Sequence, residues 1–272
     1  MLLQRVLTAL LLAPLVIVLI AFAPTVLFAV VVTITFLAAL WEWAALSGLK
    51  SHALRAAFLL LAALAFAALW LLRNSPVSSW VLAIGVAWWL VVCVWLRHFA
   101  FGAAPTRENV ARKLLAGLFV TLPAWMALVS IHQQAPNGHW WTLLALLIVW
   151  AADIGAYFSG RTFGKRKLAP QISPGKTWAG AYGALVAGAL VMLGGAWLLD
   201  VRDGRLIGLA LLALILVAGS IVGDLLESLM KRHAKVKDSG TLFPGHGGLM
   251  DRLDSVFAAL PIFAAGLLWL GI

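Results

Sequence analysis

Charged side chains are scarce in this 272-residue chain: Asp, Glu, Lys and Arg make up 11% of it, against roughly 25% in an ordinary soluble domain. A soluble fold of this length has no interior able to hide the 64% of residues that are apolar, which excludes a globular enzyme in water. The mean hydropathy of +1.02 excludes disorder. Cysteine is nearly absent. Cys93 stands alone inside an apolar run, so there is no intrachain disulfide and no cysteine-built zinc site. G-x-S-x-G and H-E-x-x-H motifs are missing, as are heptads, a soluble domain and a low-complexity tail. An outer-membrane barrel would show weak alternating segments, whereas the apolar runs here are long. What remains is an all-α polytopic integral membrane protein.

Apolar runs occur at about Val6–Phe22, Val26–Leu46, Ala53–Leu72, Val77–Leu96, Leu114–Ile131, Trp140–Phe158, Ala179–Leu199, Leu206–Met230 and Leu253–Ile272. Each approaches the roughly 20 residues that cross a bilayer, which predicts about nine helices. About five lie in residues 1–135, and the rest lie in a C-terminal catalytic region, 136–272. If the helices alternate, 17 of the 20 Lys and Arg residues fall on one side, and only Arg73, Arg202 and Arg205 fall on the other. Basic loops stay in the cytoplasm, so the N-terminus is expected there. A rival reading takes Arg5, the first apolar run and Ala21-Phe22-Ala23 as a cleavable signal. The run exceeds the usual 7–15 residues of such segments.

The ten acidic residues are the informative minority. Ionisable groups within a membrane are costly and mark function. Asp200 and Asp203 lie in an outer loop, Glu108 in a basic one, and Glu42 at an interface between Trp41 and Trp43. Asp153, Asp224, Glu227, Asp238, Asp251 and Asp254 all fall near the basic side. Asp224 and Glu227 are spaced i, i+3, as are Asp251 and Asp254, so each pair shares a helix face. Salt-bridge staples between helix ends are the bland explanation for any one of them. As a set they adjoin a glycine-rich stretch, Lys237-Asp238-Ser239-Gly240-Thr241-Leu242-Phe243-Pro244-Gly245-His246-Gly247-Gly248. Backbone N–H groups there can face an anion. Carboxylates suit Mg²⁺, which binds one or two of them plus substrate phosphates, and Lys and Arg suit a polyphosphate. The parts describe phosphoryl or nucleotidyl transfer.

A second polar block runs from Ser159 to Lys165 and from Ile172 to Thr177. Gly175-Lys176-Thr177 imitates the end of a phosphate-binding P-loop, but the first glycine of that motif would fall on Pro170, and no strand is expected before it. An anion-binding turn at the start of the seventh helix fits better. Gly219 and Gly223 form a G-x-x-x-G, read as a close helix crossing that can bring Asp224 against a neighbour.

The stretch from Ser228-Leu229-Met230-Lys231-Arg232 through Lys237-Asp238-Ser239-Gly240 and Phe243-Pro244-Gly245-His246-Gly247-Gly248 to Asp251-Arg252-Leu253-Asp254 resembles the signature of the phosphatidate cytidylyltransferase (CDP-diacylglycerol synthase) family, bacterial type. The block from Asp153 through Tyr157, Gly160, Gly164 and Lys165 to Ser173-Pro174 and Lys176-Thr177 is similar to the family too. Gly175 and Ala179 depart from the Lys and Glu that relatives often carry.

The resemblance implies that CTP and phosphatidate react to CDP-diacylglycerol and pyrophosphate, with Mg²⁺ and a monovalent cation such as K⁺ alongside. It implies a homodimer in membrane lipid, its active site facing the cytoplasm, with no nucleic acid partner. On the matching positions, Asp224 and Asp251 are expected to hold metal, with Asp254 and Asp238 secondary. Lys165, Lys176, Lys231, Arg232 and Lys237 are expected to hold triphosphate or lipid phosphate, and Arg252 and His246 to contact a phosphate. Asp153, Ser173, Ser228, Gly247 and Gly248 complete the substrate-binding set. A transporter or flippase for an anionic lipid or nucleotide is the rival from another class. It would need acids near the midplane and a pathway open to both sides.

Overall fold

The computed structural model describes residues 2–241 and 247–272, with side chains from Leu12 onward. Nine α-helices lie among them: α1 (Leu2–Phe22), α2 (Thr25–Leu46), α3 (His52–Leu72), α4 (Val77–Arg97), α5 (Arg107–His132), α6 (Gly138–Phe163), α7 (Trp178–Leu198), α8 (Arg205–Ala234) and α9 (Met250–Leu270). Helices α2 to α9 are each long and apolar enough to cross a bilayer, and α1 contributes the shorter apolar segment Leu12–Phe22. The protein is an all-α polytopic membrane protein, as its composition demands. With nine successive crossings, the connections α2–α3, α4–α5, α6–α7 and α8–α9 share one end of the bundle, and that end carries most of the Lys and Arg.

The boundaries follow local chemistry. Pro24 caps α2 with extended backbone. Ser51, Thr106 and Thr177 cap α3, α5 and α7 by accepting from Leu54, Asn109 and Gly180 N–H. The connection α6–α7 differs from the expected loop: it holds a two-stranded antiparallel hairpin, β1 (Lys167–Ala169) and β2 (Ser173–Thr177). Pro170 and Pro174 deny this stretch a helix, and pairing Lys167 with Thr177 and Ala169 with Ser173 satisfies its backbone instead. Lys176 therefore sits on a strand, one residue before the cap of α7.

Helices α5 and α9 are the most buried and form the centre. Gly85 of α4 lets Pro123 of α5 and Pro261 of α9 approach: a Cβ there would stand 3.2 Å from Pro261 Cβ and closer still to Pro123. The two halves of the sequence share this core. Helices α8 and α9 cross at Gly219 and Gly223, as the G-x-x-x-G spacing predicts. Gly219 faces Ile262, and a Cβ on Gly223 would collide with the Asp254 carbonyl and stand 3.1 Å from Ala258 Cβ. A glycine crossing also joins α6 to α7, where a Cβ on Gly155 would lie 2.6 Å from the Gly183 carbonyl. These two crossings draw α6, α7, α8 and α9 together around one polar spot.

Candidate active site

Asp153 lies ten residues before the end of α6, and Asp224 ten before the end of α8, so the two sit at matching depth, roughly 15 Å along the axis from their helix ends. Asp254 opens α9 beside them. Asp153 is within electrostatic reach of Asp224, Lys176 and Arg252, and Asp254 within reach of Asp224, Asp153 and Lys176. Lys176 Nζ makes a direct cationic contact, donating to Asp224 Oδ2 at 2.5 Å. Ser228 Oγ donates to Asp224 Oδ1 at 3.3 Å. Three carboxylates thus crowd around one ammonium.

This cluster borders a cavity of about 490 Å³ between α6, the hairpin, α7 and α8. Asp153, Ser173, Lys176, Thr177 and Asp224 line its polar side, and Tyr157, Ala181 and Ile221 its apolar side. The hairpin is held over it by Arg232, whose Nε donates to the Ile172 carbonyl at 3.1 Å. A smaller cavity of about 320 Å³ at the opposite end is lined by Arg73, Ser130 and Gln133 but by no carboxylate.

The second cluster centres on Asp251. Its Oδ2 accepts from Ser239 N, Ser239 Oγ and Gly248 N, each at 2.8 Å. Its Oδ1 takes the Lys231 ammonium at 2.5 Å. Lys231 is shared with Glu227, whose side chain is fully buried one turn earlier on α8. Gly247 adopts φ +80, and a Cβ there would lie 2.6 Å from Asp251 Oδ2. Asp251 thus binds the end of the glycine stretch to the start of α9. Its lone pairs are committed within the protein, whereas Asp254, Asp153 and Asp224 lie within electrostatic reach of one another beside the cavity.

Glu42 completes this second cluster and was not singled out for it. It is buried, and its Oε1 accepts from Leu249 N at 3.0 Å, its Oε2 from Met250 N at 2.9 Å and from Ser239 Oγ at 2.8 Å. A glutamate from α2 therefore caps α9, where Leu249 itself offers no capping side chain. Gly240 and Gly248 are glycines because a Cβ on either would strike that carboxylate. The one available signal was a carboxylate between two tryptophans in an otherwise apolar helix.

The other expected residues are dispersed. Lys165, Lys237 and Asp238 are exposed, and Arg252 stands near Asp153. His246 lies outside the described residues. Among the described residues no three His, Cys, Asp or Glu side chains form a complete metal site. The donor set nonetheless fits Mg²⁺, a hard cation that takes one or two carboxylates and fills its octahedron with water and phosphate oxygens. Three carboxylates within electrostatic reach of one another, with Lys176 and Arg252 as the nearby cations, are an environment that favours added positive charge.

Residues 3–270 match the pattern of the cytidylyltransferase family. The chain belongs to that family. The phosphatidate cytidylyltransferase of Pseudomonas aeruginosa is 40% identical over 275 residues, covering 99% of this chain and 97% of the relative. That of Haemophilus influenzae is 34% identical over 284 residues, covering 97% and 98%. That of Mycobacterium bovis is 36% identical over 200 residues, covering 70% and 64%. Family membership makes the chain a nucleotidyltransferase and accounts for a cavity that pairs carboxylates with a lysine in a membrane-embedded bundle.

Proposed function

We propose that this chain transfers the cytidylyl group of CTP to phosphatidate, giving CDP-diacylglycerol and pyrophosphate, at the basic, cytoplasm-facing end of an inner-membrane protein. The carrying observation is the cavity whose polar wall holds Asp153, Asp224 and Lys176 and whose other wall is apolar, in a family member aligned end to end with relatives named for this reaction. A lipid phosphate on an apolar tail and a soluble triphosphate need such a two-natured space.

The chemistry asks little of the protein in covalent terms. A phosphate oxygen of phosphatidate, already anionic, attacks the α-phosphorus of CTP. The new P–O bond forms as the bond to the bridging oxygen of the leaving pyrophosphate breaks, and no general base is needed. The obstacle is repulsion between two polyanions, so catalysis is alignment and charge neutralisation. Lys176, on the rim of the hairpin, reaches into the cavity and supplies positive charge there. Asp224 and Asp254, backed by Asp153, would hold Mg²⁺. Bound there, the ion would neutralise the triphosphate and orient it. K⁺ alongside would serve the same electrostatic end. Asp251 acts one layer behind, ordering the glycine stretch through Ser239 and Gly248. Membrane lipid surrounds the chain, and a homodimer is its proposed assembly.

The test is turnover of labelled CTP and phosphatidate by purified protein in liposomes, with and without Mg²⁺. Asp224→Asn is expected to lower turnover about 100- to 1,000-fold, the scale of removing one electrostatic group from a transition state. Wild-type turnover unaffected by chelation, or an Asp224→Asn variant as fast as wild type, overturns the metal assignment. Absence of CDP-diacylglycerol from folded wild type overturns the reaction.

A further inference from the structure

Charge is sparse at the end of the bundle opposite the hairpin. Two arginines there are neutralised on the spot, Arg202 by Asp200 at 3.0 Å and Arg205 by Asp203 at 2.9 Å. Arg73, in the α3–α4 connection, pairs with no acid among the described residues. Its guanidinium is held on the protein side: Cζ stands 3.8 Å from the centre of the Trp70 ring, and Nη1 donates to the Trp70 carbonyl at 2.6 Å. The rest of the donor fork is left for another acceptor. Arg73 borders the cavity of about 320 Å³ together with Asn74, Ser78, Ser130 and Gln133. Gln133 Nε2 donates to Asn74 Oδ1 at 3.2 Å, which ties the end of α5 to the α3–α4 connection. Ser130 Oγ is buried and has no partner among the described residues. The buried hydroxyls of Thr121 and Thr142 take the usual alternative and donate to the carbonyl four residues earlier, at 2.9 and 2.8 Å. Ser130 leaves its hydroxyl unspent beside the cavity it lines.

The apolar wall of this cavity is formed by buried Leu82, Ile131 and Leu267, and exposed Leu268 carries that wall out to the surface of the bundle, where lipid lies. No Asp or Glu lines the space. One unneutralised guanidinium, hydroxyl and amide groups around it and an apolar exit specify a ligand with one negative charge, hydroxyls beside that charge and a hydrocarbon tail. A fatty acid lacks the hydroxyls. A zwitterionic head group adds an ammonium that would meet no carboxylate here. We propose that the cavity binds the head group of a phospholipid whose phosphodiester carries an uncharged polyol, as in phosphatidylglycerol. The phosphate lies against Arg73, whose planar fork matches phosphate oxygens, and the polyol hydroxyls meet Ser130, Asn74 and Gln133. The volume falls at the lower end of the roughly 300–1,000 Å³ of small-molecule sites, room for a head group with its acyl chains outside. The site is separate from the cavity beside Asp224: nearly one turn beyond Leu82 on α4, Gly85 packs tightly against Pro123 and Pro261. The proposal depends neither on the reaction assigned above nor on which side of the membrane this end faces.

Native mass spectrometry of full-length protein released from phosphatidylcholine nanodiscs tests it. Wild type, Arg73→Gln, Ser130→Ala and Arg202→Gln are each loaded with phosphatidylglycerol, phosphatidylethanolamine or glycerophosphoglycerol, the water-soluble head group alone. Thermal melting checks that each protein is folded, and Ser130→Ala keeps the test open if Arg73→Gln misfolds. Arg202→Gln removes the same charge from the same end and is the control. The expected result is one more phosphatidylglycerol per chain on wild type and Arg202→Gln than on Arg73→Gln. Half-saturation should rise about 10- to 100-fold in Arg73→Gln, the scale of losing hydrogen bonds to a charged group, and about 2- to 10-fold in Ser130→Ala. Phosphatidylethanolamine should give equal counts on all four proteins. Phosphatidylglycerol should also raise the melting temperature of wild type more than that of Arg73→Gln. Equal phosphatidylglycerol on all four folded proteins overturns the site. An equal loss in Arg202→Gln overturns it too, because the effect is then one of general charge. A matching loss of phosphatidylethanolamine overturns the stated head-group class. Free head group lost from Arg73→Gln, with phosphatidylglycerol equal throughout, overturns the lipid as its source.

Discussion

Two carboxylates here do their work without facing the cavity. Glu42 and Asp251 together accept from four backbone N–H groups, those of Ser239, Gly248, Leu249 and Met250, and share the Ser239 hydroxyl between them. Glu42→Gln keeps one acceptor and turns an amide donor toward groups that are themselves donors. The expected loss is about 1–3 kcal/mol, the scale of leaving buried donors unmet. Hydrogen exchange should rise at Ser239 and at residues 248–250 while α6 and α7 stay protected; unchanged exchange there would show that α9 does not need its cap. Lys231 is the counter-ion of both Glu227 and Asp251. Lys231→Met would leave two buried acids facing each other and should cost about 3–5 kcal/mol, read as a fall in the thermal midpoint in detergent. These roles escape a reading of the signature alone: a carboxylate in such a motif announces chemistry, and only its neighbours say whether its lone pairs are free.

At the scale of elements, the α6–α7 crossing sets the width of the cavity. Gly183 lies against Ser159 and Gly155; an added Cβ would stand 2.6 Å from Ser159 Cβ and 2.7 Å from the Gly155 carbonyl. Gly183→Ala must separate the helices, and it should destabilise by about 1–3 kcal/mol, as overpacking does. It should also lower turnover without touching any charged group. A variant with wild-type melting and wild-type turnover would show that the crossing is slack. Helix existence was legible: Val77–Arg97 is within a residue of its apolar run, and α2 begins where Pro24 says it must. The hairpin was not. Its strands span three and five residues, rich in Lys, Pro and Gly, and carry no period-2 hydrophobic pattern.

For the whole molecule, the lopsided charge predicts an orientation that chemistry can read directly. Cys93 is the only cysteine, so Cys93→Ser gives a clean background for single cysteines at exposed loop positions. A membrane-impermeant thiol reagent is expected to label Lys235→Cys only after the membrane is opened, and Asp203→Cys in intact spheroplasts. The reverse pattern would place the cavity outside, away from CTP. The placement of the acids also answers the transporter alternative. Asp153 and Asp224 line the cavity that lies beside the hairpin of the basic α6–α7 connection, and the opposite cavity has no carboxylate lining. A carrier would need its binding groups where both ends can reach them.

Composition and local order in the sequence settled the class, the number of helices, the basic end and the family. Each of those is written in nearest-neighbour terms: hydropathy summed along one run, charge summed over one loop, residues at fixed spacing in one stretch. What only the tertiary structure decided is which groups meet across long separations. Glu42 bonds Met250 from 208 residues away, Lys176 reaches Asp224 from 48, and His233 meets Phe99 from 134. Such meetings depend on how glycine crossings let helices approach. That is a property of packed surfaces in three dimensions, with no local pattern to announce it.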